Sequence, residues 1–280
     1  MAVKLITDSG CDLTAAQASD LGIALVPMTV HFEDGEYLSG VDLTTDEFFD
    51  KLALAKELPT TSQPTPAAFE AEYKKVRQSG DQAVVVCISS ALSGTYQSAM
   101  IAAEEYSDCI YVVDTLNVTI GQRILLEYAM VLQKDGCTAA EIVQRLEQVK
   151  ERVCVLGAVD TLTYLIKGGR LSKAAGLAGT VLGIRPVLAV KDGALAVVGK
   201  ARGPKAANAM VNNLIKDAGI DRTMPCLLGY TGKDASIVQN YLEGTDNPWS
   251  DCAMPVVAIG STIGTHTGPG LLGVAFFKKS

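Results

Sequence analysis

A chain of 280 residues is long for one compact core, which points to two domains or one large α/β domain and excludes a mini-protein. Hydrophobic residues make up 48%, and the 26 glycines bring the total to about 57%, above the roughly 45–50% usual for the two together, so apolar material is ample. The formal net charge of −7 repels nucleic acid and anionic membrane, and nucleic-acid binding is not expected.

Seven cysteines, at 11, 87, 109, 137, 154, 226 and 252, include no C-x-x-C pair, and the only histidines, His31 and His266, fall in no zinc-binding spacing. Neither a disulfide framework nor a metal is expected, and a reduced, cytoplasmic setting fits best. The N-terminus lacks the basic and apolar regions of an export signal, and no apolar run approaches about 18 residues, so a soluble, unexported protein is expected.

Short β-branched runs alternate with amphipathic stretches through the first half, the pattern of a parallel sheet with crossover helices. The first strand is expected over 3–7, followed by a helix from the Thr14 cap to about 21 and an extended stretch over 23–32, with Pro27 marking an edge or bulge. Asp34-Gly35 makes a turn before a helix over 46–56. The loop Pro59-Thr60-Thr61-Ser62-Gln63-Pro64 then leads to a helix with Thr65 as cap and Pro66 at its first position. The clearest buried strand is 82–88, with Ala-Val-Val-Val at its heart, and it runs straight into the loop Ser89-Ser90-Ala91-Leu92-Ser93-Gly94-Thr95. A strand over 109–113, a helix over 118–134 and a helix behind the Thr138-x-x-Glu141 capping box complete this half.

From about residue 153 the pattern changes, because Lys191-Asp192-Gly193-Ala194 joins two apolar runs as a hairpin and so brings antiparallel pairing. A helix over 204–218, a strand over 225–230, a helix over 234–242 and two strands flanking Gly264-Thr265-His266-Thr267-Gly268-Pro269-Gly270 follow. The expected division is 1–160 and 161–280.

Turns between strand and helix expose amide groups where anionic ligand groups bind, and three here are rich in hydroxyls or acids: 8–12, 89–95 and 114–117. Ser, Thr and Asp in such turns read either as ligand donors or as helix caps. Ser93-Gly94-Thr95 favours the first reading, since a glycine beside two hydroxyls permits close backbone approach to a ligand. His266, in a loop with three Gly and one Pro within seven residues, is aimed rather than hidden, whereas His31 in an extended apolar run reads as structural. Gly168-Gly169-Arg170 reads equally as an anion-presenting turn or as a helix end with a solvated Arg. Lys200, Arg202 and Lys205 gather ahead of a helix, fit for an acidic partner or a phosphate, or simply for solvent. No Walker or dinucleotide fingerprint occurs, so no nucleotide site and no cofactor are expected. Ser93, His266 and Asp8 offer the materials of a hydrolytic triad, without the G-x-S-x-G elbow.

Taken together, Ile6-Thr7-Asp8-Ser9, Thr61-Ser62-Gln63-Pro64, the stretch from Ile88 through Ser93-Gly94-Thr95 to Ala99, Tyr164 through Gly168-Gly169-Arg170, and Ile263 through His266 to Gly270 resemble the DegV family of bacterial fatty-acid-binding proteins, lipid-carrying subunits of a fatty acid kinase. The resemblance covers essentially the whole chain and departs locally at Cys11. It implies an α/β protein of two domains, an N-terminal three-layer α/β/α domain with a parallel sheet and a C-terminal two-layer α/β domain with a mixed sheet, holding a fatty acid at or near their junction. It also implies that Thr61, Ser62, Ser93 and His266 bind the carboxylate. Arg170 and Arg202, with Gly94 and Thr95, would then contact the head group, a phosphate or the partner. The implied ligand is a long-chain fatty acid such as palmitate, stearate or oleate, presented to a separate ATP-dependent kinase and carried as the acyl phosphate by a chain that is not itself an enzyme. Transient membrane contact is compatible with that cargo. The alternatives are a serine hydrolase using Ser93 and His266, and a lipid sensor without kinase coupling.

Overall fold

The computed structural model describes residues 2–172, 183–244, 246–251 and 254–279; Cys252 lies outside them. Its first half opens with β1 (Val3–Asp8), α1 (Ala15–Asp20), β2 (Ile23–Val26), β3 (Thr29–Phe32), β4 (Gly35–Leu38), α2 (Thr45–Leu54), β5 (Thr60–Ser62) and α3 (Pro66–Gln78). It continues with β6 (Gln82–Cys87), α4 (Thr95–Ala103), β7 (Ile110–Asp114), α5 (Ile120–Lys134) and α6 (Ala139–Val149). Then come β8 (Val153–Ala158), α7 (Thr163–Lys167), β9 (Ile184–Lys191), β10 (Ala194–Arg202), α8 (Gly203–Ala218) and β11 (Leu227–Tyr230). The chain closes with α9 (Ser236–Leu242), β12 (Val256–Ala258), α10 (Ser261–Thr267) and β13 (Leu272–Phe277).

The parallel sheet has the order β2-β1-β6-β7. Side chains alternate across a strand, so the apolar run in β6 feeds two cores. Val84 and Val86 pack with Leu5 against Ile124, Ile142 and Leu146 of α5 and α6, while Val85 and Cys87 pack with Ile6 against Phe69, Tyr73 and Ala99 of α3 and α4. The three-layer first half is thereby formed. Capping boxes at Thr14/Gln17, Thr44/Glu47 and Thr138/Glu141 start α1, α2 and α6.

The mixed sheet has the order β10-β9-β8-β13-β11-β12, antiparallel except between β11 and β12. Ala207, Val211 and Ile215 of α8 and Val238 and Tyr241 of α9 share a core with its Leu156, Val187, Leu228 and Val274. Val153, Val155, Ala275 and Phe277 belong instead to the core that holds α5. By sheet membership the second unit begins with β8, ahead of the expected division at 161, and we propose residue 153 as its start.

Three local expectations differ from the structure. The stretch over 23–32 divides at Pro27: β2 stays in the parallel sheet and β3 enters a separate antiparallel sheet, β4-β3-β5, with the residue that lacks an N–H falling between them. The loop over 59–64 contains β5, whose Thr61 pairs with Val30; the four residues between its prolines are too few for a periodic signal, and pairing with β3 makes the strand. The Gly-rich segment around His266 is largely helical, as α10, a helix of seven residues with six of them buried. Tertiary packing, not intrinsic propensity, holds so short a helix. Among the described residues no helix is long and apolar enough to cross a membrane.

Candidate functional site

An apolar cavity lies where β5, β8, β9, α5, α7 and α10 meet, enclosing about 810 Å³ of atom-free space including its open mouth. Ile88, Val118, Ile120, Leu156, Leu188 and Leu271 supply much of its wall. Polar side chains are few, and four cluster together: Thr61, Ser93, Arg170 and His266.

Each reaches the cluster by a different element. Thr61 is the middle residue of β5 and His266 the penultimate residue of α10, and Thr61 Oγ1 stands 2.8 Å from His266 Nε2 across 205 residues of sequence. Ser93 precedes α4; its Oγ lies 2.8 Å from Thr95 Oγ1 and accepts from the Thr95 amide at 3.3 Å. Arg170 follows α7, and its guanidinium donates from Nε to the Leu92 carbonyl at 3.2 Å and from Nη1 to the Gly168 carbonyl at 2.8 Å. These bonds draw the loop before α4 and the turn after α7 together at the head of the cavity.

Burial sets the electrostatics. Desolvation, with a smaller contribution from the Arg170 charge, lowers the His266 pKa to about 4, so the imidazole is neutral at physiological pH. His266 Nδ1 is buried with no hydrogen-bond partner, because Gly168 packs so closely that an added Cβ would lie 2.3 Å from it. A bare lone pair there is the lesser cost, which favours the tautomer in which Nε2–H donates to Thr61 Oγ1. The Thr61 proton is then free to point into the cavity.

Several expected site residues fall elsewhere. Ser62 is exposed on the opposite face of β5, with Oγ 2.8 Å from His31 Nε2, and His31 Nδ1 is 3.2 Å from Glu36. Adjacent strand residues cannot both face one cavity, so Ser62 is corrected to a surface residue. Thr95 is fully buried beneath Ser93 and steadies it without lining the cavity. Gly94 adopts an ordinary φ of −74 and leaves room for a side chain rather than a ligand: an added Cβ would lie 2.0 Å from Gln63 Oε1. Arg202 is exposed at the far end of β10 from Leu195, which lines the cavity. A Ser93–His266–Asp8 triad is not assembled, since His266 Nε2 faces Thr61 and the Asp8 carboxylate accepts from the amides of Gly10 and Ile88 and from Gln122. Thr119, Thr262 and Thr267 also line the cavity, and no spacing in the sequence singles them out. Gln63 binds Ser98 Oγ through Nε2 at 2.9 Å, tying β5 to α4; its place in the sequence beside Thr61 was the available signal.

Fold and cavity define the class: an α/β protein of one parallel and one mixed sheet, with an apolar cavity against the mixed sheet and a small cluster of polar side chains at its head. The model described as "Uncharacterised protein, DegV family" matches residues 2–279, and the chain belongs to the DegV family. It is 35% identical to a DegV domain-containing protein of Clostridium acetobutylicum over 280 residues, 99% of each chain. Among solved structures it is similar to a DegV family protein from Thermus thermophilus described for fatty acid binding, at 30% identity, TM-score 0.87 and full coverage of both chains. It is also similar to a stearic-acid-binding protein from Eubacterium ventriosum, at 27% identity and TM-score 0.85, covering 100% of this chain and 99% of that one.

Two outcomes follow from this geometry. Gly94→Ala should displace Gln63 and loosen β5 against α4, lowering the melting temperature, while adding Gln63→Ala should recover most of the loss; additive losses in thermal unfolding would refute the contact. The folded pKa of His266 lies below the usual value of about 6.5, so folding favours the neutral imidazole. Its contribution is complete above about 6.5 and is lost as pH falls toward 4. The stability of the parent relative to His266→Gln should therefore decline across that window, and a pH-independent difference in melting temperature would contradict the burial argument.

Proposed function

We propose that this protein binds a long-chain fatty acid, its tail in the apolar cavity and its carboxylate against Thr61 and Ser93, and presents that carboxylate to a separate ATP-dependent kinase. The carrying observation is the Thr61–His266 pair closing one part of an otherwise apolar cavity beside Ser93 and Arg170. Neutral His266 donates to Thr61 and releases the threonine proton for the ligand. Ser93 accepts from the Thr95 amide and, with Thr95 Oγ1 as the donor between the two hydroxyls, keeps its own proton for the ligand. Two hydroxyl donors can orient a carboxylate without covering both its oxygens. Arg170 Nη2 makes no bond among those described and stands ready for the charge of the ligand or of a phosphate.

The tail supplies the affinity. Burying about 14 methylenes at ~0.8 kcal/mol each contributes on the order of 10 kcal/mol before the cost of association. The described similarity to fatty-acid-binding structures agrees with that ligand class. The kinase step rests on the family resemblance of the motifs and on the exposed cations Lys200, Arg202 and Lys205, which suit an acidic partner surface. The cytoplasm is the compartment in keeping with the buried thiols of Cys11, Cys87 and Cys109, none of which is in a disulfide.

Denaturing extraction and mass spectrometry of the purified protein should release a fatty acid, and delipidated protein should bind C14 to C18 acids in calorimetric titration. Ser93→Ala removes a hydrogen bond to a charged group, roughly 1.5–3 kcal/mol, and should weaken binding by about one to two decades without unfolding. No binding by the parent would overturn the ligand assignment, and unchanged affinity in the variant would remove Ser93 from it.

Arg202→Glu separates holding from presenting. Lipid affinity should survive, because the side chain is exposed and outside the cavity wall, whereas kinase-dependent ATP turnover should fall strongly and the parent rate should decline with added salt. Equal loss of both activities, or of neither, would dismiss Arg202 as a docking residue.

A further inference from the structure

Behind the helix that carries His266 lies a second cavity, about 1130 Å³ including its open mouth, and one carboxylate stands in the wall between the two. Asp12 is only 9% exposed and closes the turn Ser9–Cys11 in the left-handed region, with φ 61. Its Oδ1 accepts from the Gly260 amide at 2.9 Å and its Oδ2 from the Thr119 hydroxyl. Gly260 immediately precedes α10. Thr119 immediately precedes α5 and itself lines the acyl cavity.

Thr119 holds φ 53 and ψ −131, a conformation that a β-branched residue keeps only under constraint. The constraint is visible: its amide donates to the Gly10 carbonyl at 2.9 Å and its hydroxyl to Asp12. Because the hydroxyl is committed to Asp12, it does not cap α5. The same turn over 9–12 thus fixes the start of one cavity helix through backbone and side chain and the start of another through Asp12.

We propose that Asp12 is a positioning residue for the head-group site, clamping the starts of α5 and α10 to the 9–12 turn and so setting where His266 meets Thr61. The inference deepens the fatty-acid reading above and rests on it for its binding readout. Other anchors of α10 are hydroxyls: Ser39 Oγ accepts from the Ser261 hydroxyl at 2.8 Å and the Thr262 amide at 3.3 Å, and Ser9 Oγ lies 3.3 Å from Thr262 Oγ1. These hold the helix to the 9–39 region, whereas Asp12 links it to α5.

The clamp works through hydrogen-bond geometry rather than charge. Burial pushes the Asp12 carboxyl up to about 7, aided weakly by Asp8 and opposed by the Thr119 and Gly260 bonds and by Arg123, so neutral and ionised forms coexist near neutrality. A neutral acid still accepts from Gly260 through one oxygen and donates to Thr119 Oγ1 through the other. An amide offers the same pair of groups. An alanine offers neither.

The test compares Asp12→Asn with Asp12→Ala by calorimetric binding of palmitate and by the imidazole NMR resonances of His266 in ligand-free protein. Asp12→Asn should stay within about threefold of the parent affinity with the His266 resonances in place, and Asp12→Ala should lose about tenfold or more with those resonances displaced while unfolding stays cooperative. If Asp12→Ala does not fold, Thr119→Ala is read in the same way, with Thr119→Ser restoring the parent behaviour. Unmoved His266 resonances and parent-like affinity in the folded alanine variant overturn the proposal, as does an asparagine variant as impaired as the alanine one. If the parent binds no palmitate, the fatty-acid reading falls, while the His266 resonances still decide whether Asp12 sets the imidazole.

Discussion

The hydrogen bond between Thr61 and His266 organises the head of the cavity, and much of the surrounding structure can be understood as what is needed to hold it. Its partners come from a three-residue strand and a seven-residue helix, neither stable alone. β5 exists because β3 pairs with it, and its position against α4 is fixed by Gln63 reaching over Gly94 to Ser98. α10 exists because it is packed on nearly every side and tied at its start by Asp12, Ser39 and Ser9. Short elements held by long-range contacts place two side chains accurately only when the rest of the chain has folded.

Much of the architecture was legible in the sequence because it obeys local rules. The buried run in β6, the Thr14 and Thr138 caps, Pro66 at the start of α3 and the Asp192-Gly193 hairpin each report a single element from a few neighbouring residues. The small sheet β4-β3-β5 and the helix α10 were not legible, since both are products of tertiary pairing and packing. The site shows the same division. Thr61, Ser93, Arg170 and His266 come from four separate motifs and line one cavity, whereas Ser62, which the resemblance pairs with Thr61, faces away from it. Because the segment is a strand, alternation sends the two hydroxyls to opposite faces. Gly94 likewise looked like room for a ligand and is room for Gln63.

The titratable groups around the cavity have opposing preferences. Burial holds His266 neutral by lowering its pKa to about 4, and raises Asp8 to about 6 and Asp12 to about 7. As pH rises between about 4 and 6, the first term stabilises the fold while the two carboxyls withdraw stability, because their ionised forms are the ones burial penalises. A site surrounded by such groups keeps its hydrogen-bond pattern over a broad pH range, since none of the bonds at Thr61 or Thr119 requires a charged partner in order to form.

That economy of charge suits the proposed cargo. A tail whose burial contributes on the order of 10 kcal/mol already supplies most of the affinity a carrier needs. A buried cation in direct contact with the carboxylate would add a charge-assisted bond and slow release, and in the proposed kinase reaction it would draw electron density from the attacking oxygen. Neutral hydroxyls would orient the proposed carboxylate at smaller cost to its nucleophilicity, and the Arg170 guanidinium is held back by the carbonyls of Leu92 and Gly168. In the proposed cycle an attached phosphoryl group would reverse the balance: added negative charge would favour Arg170 Nη2 over two neutral donors, which fits a cation beside the proposed head group rather than on it.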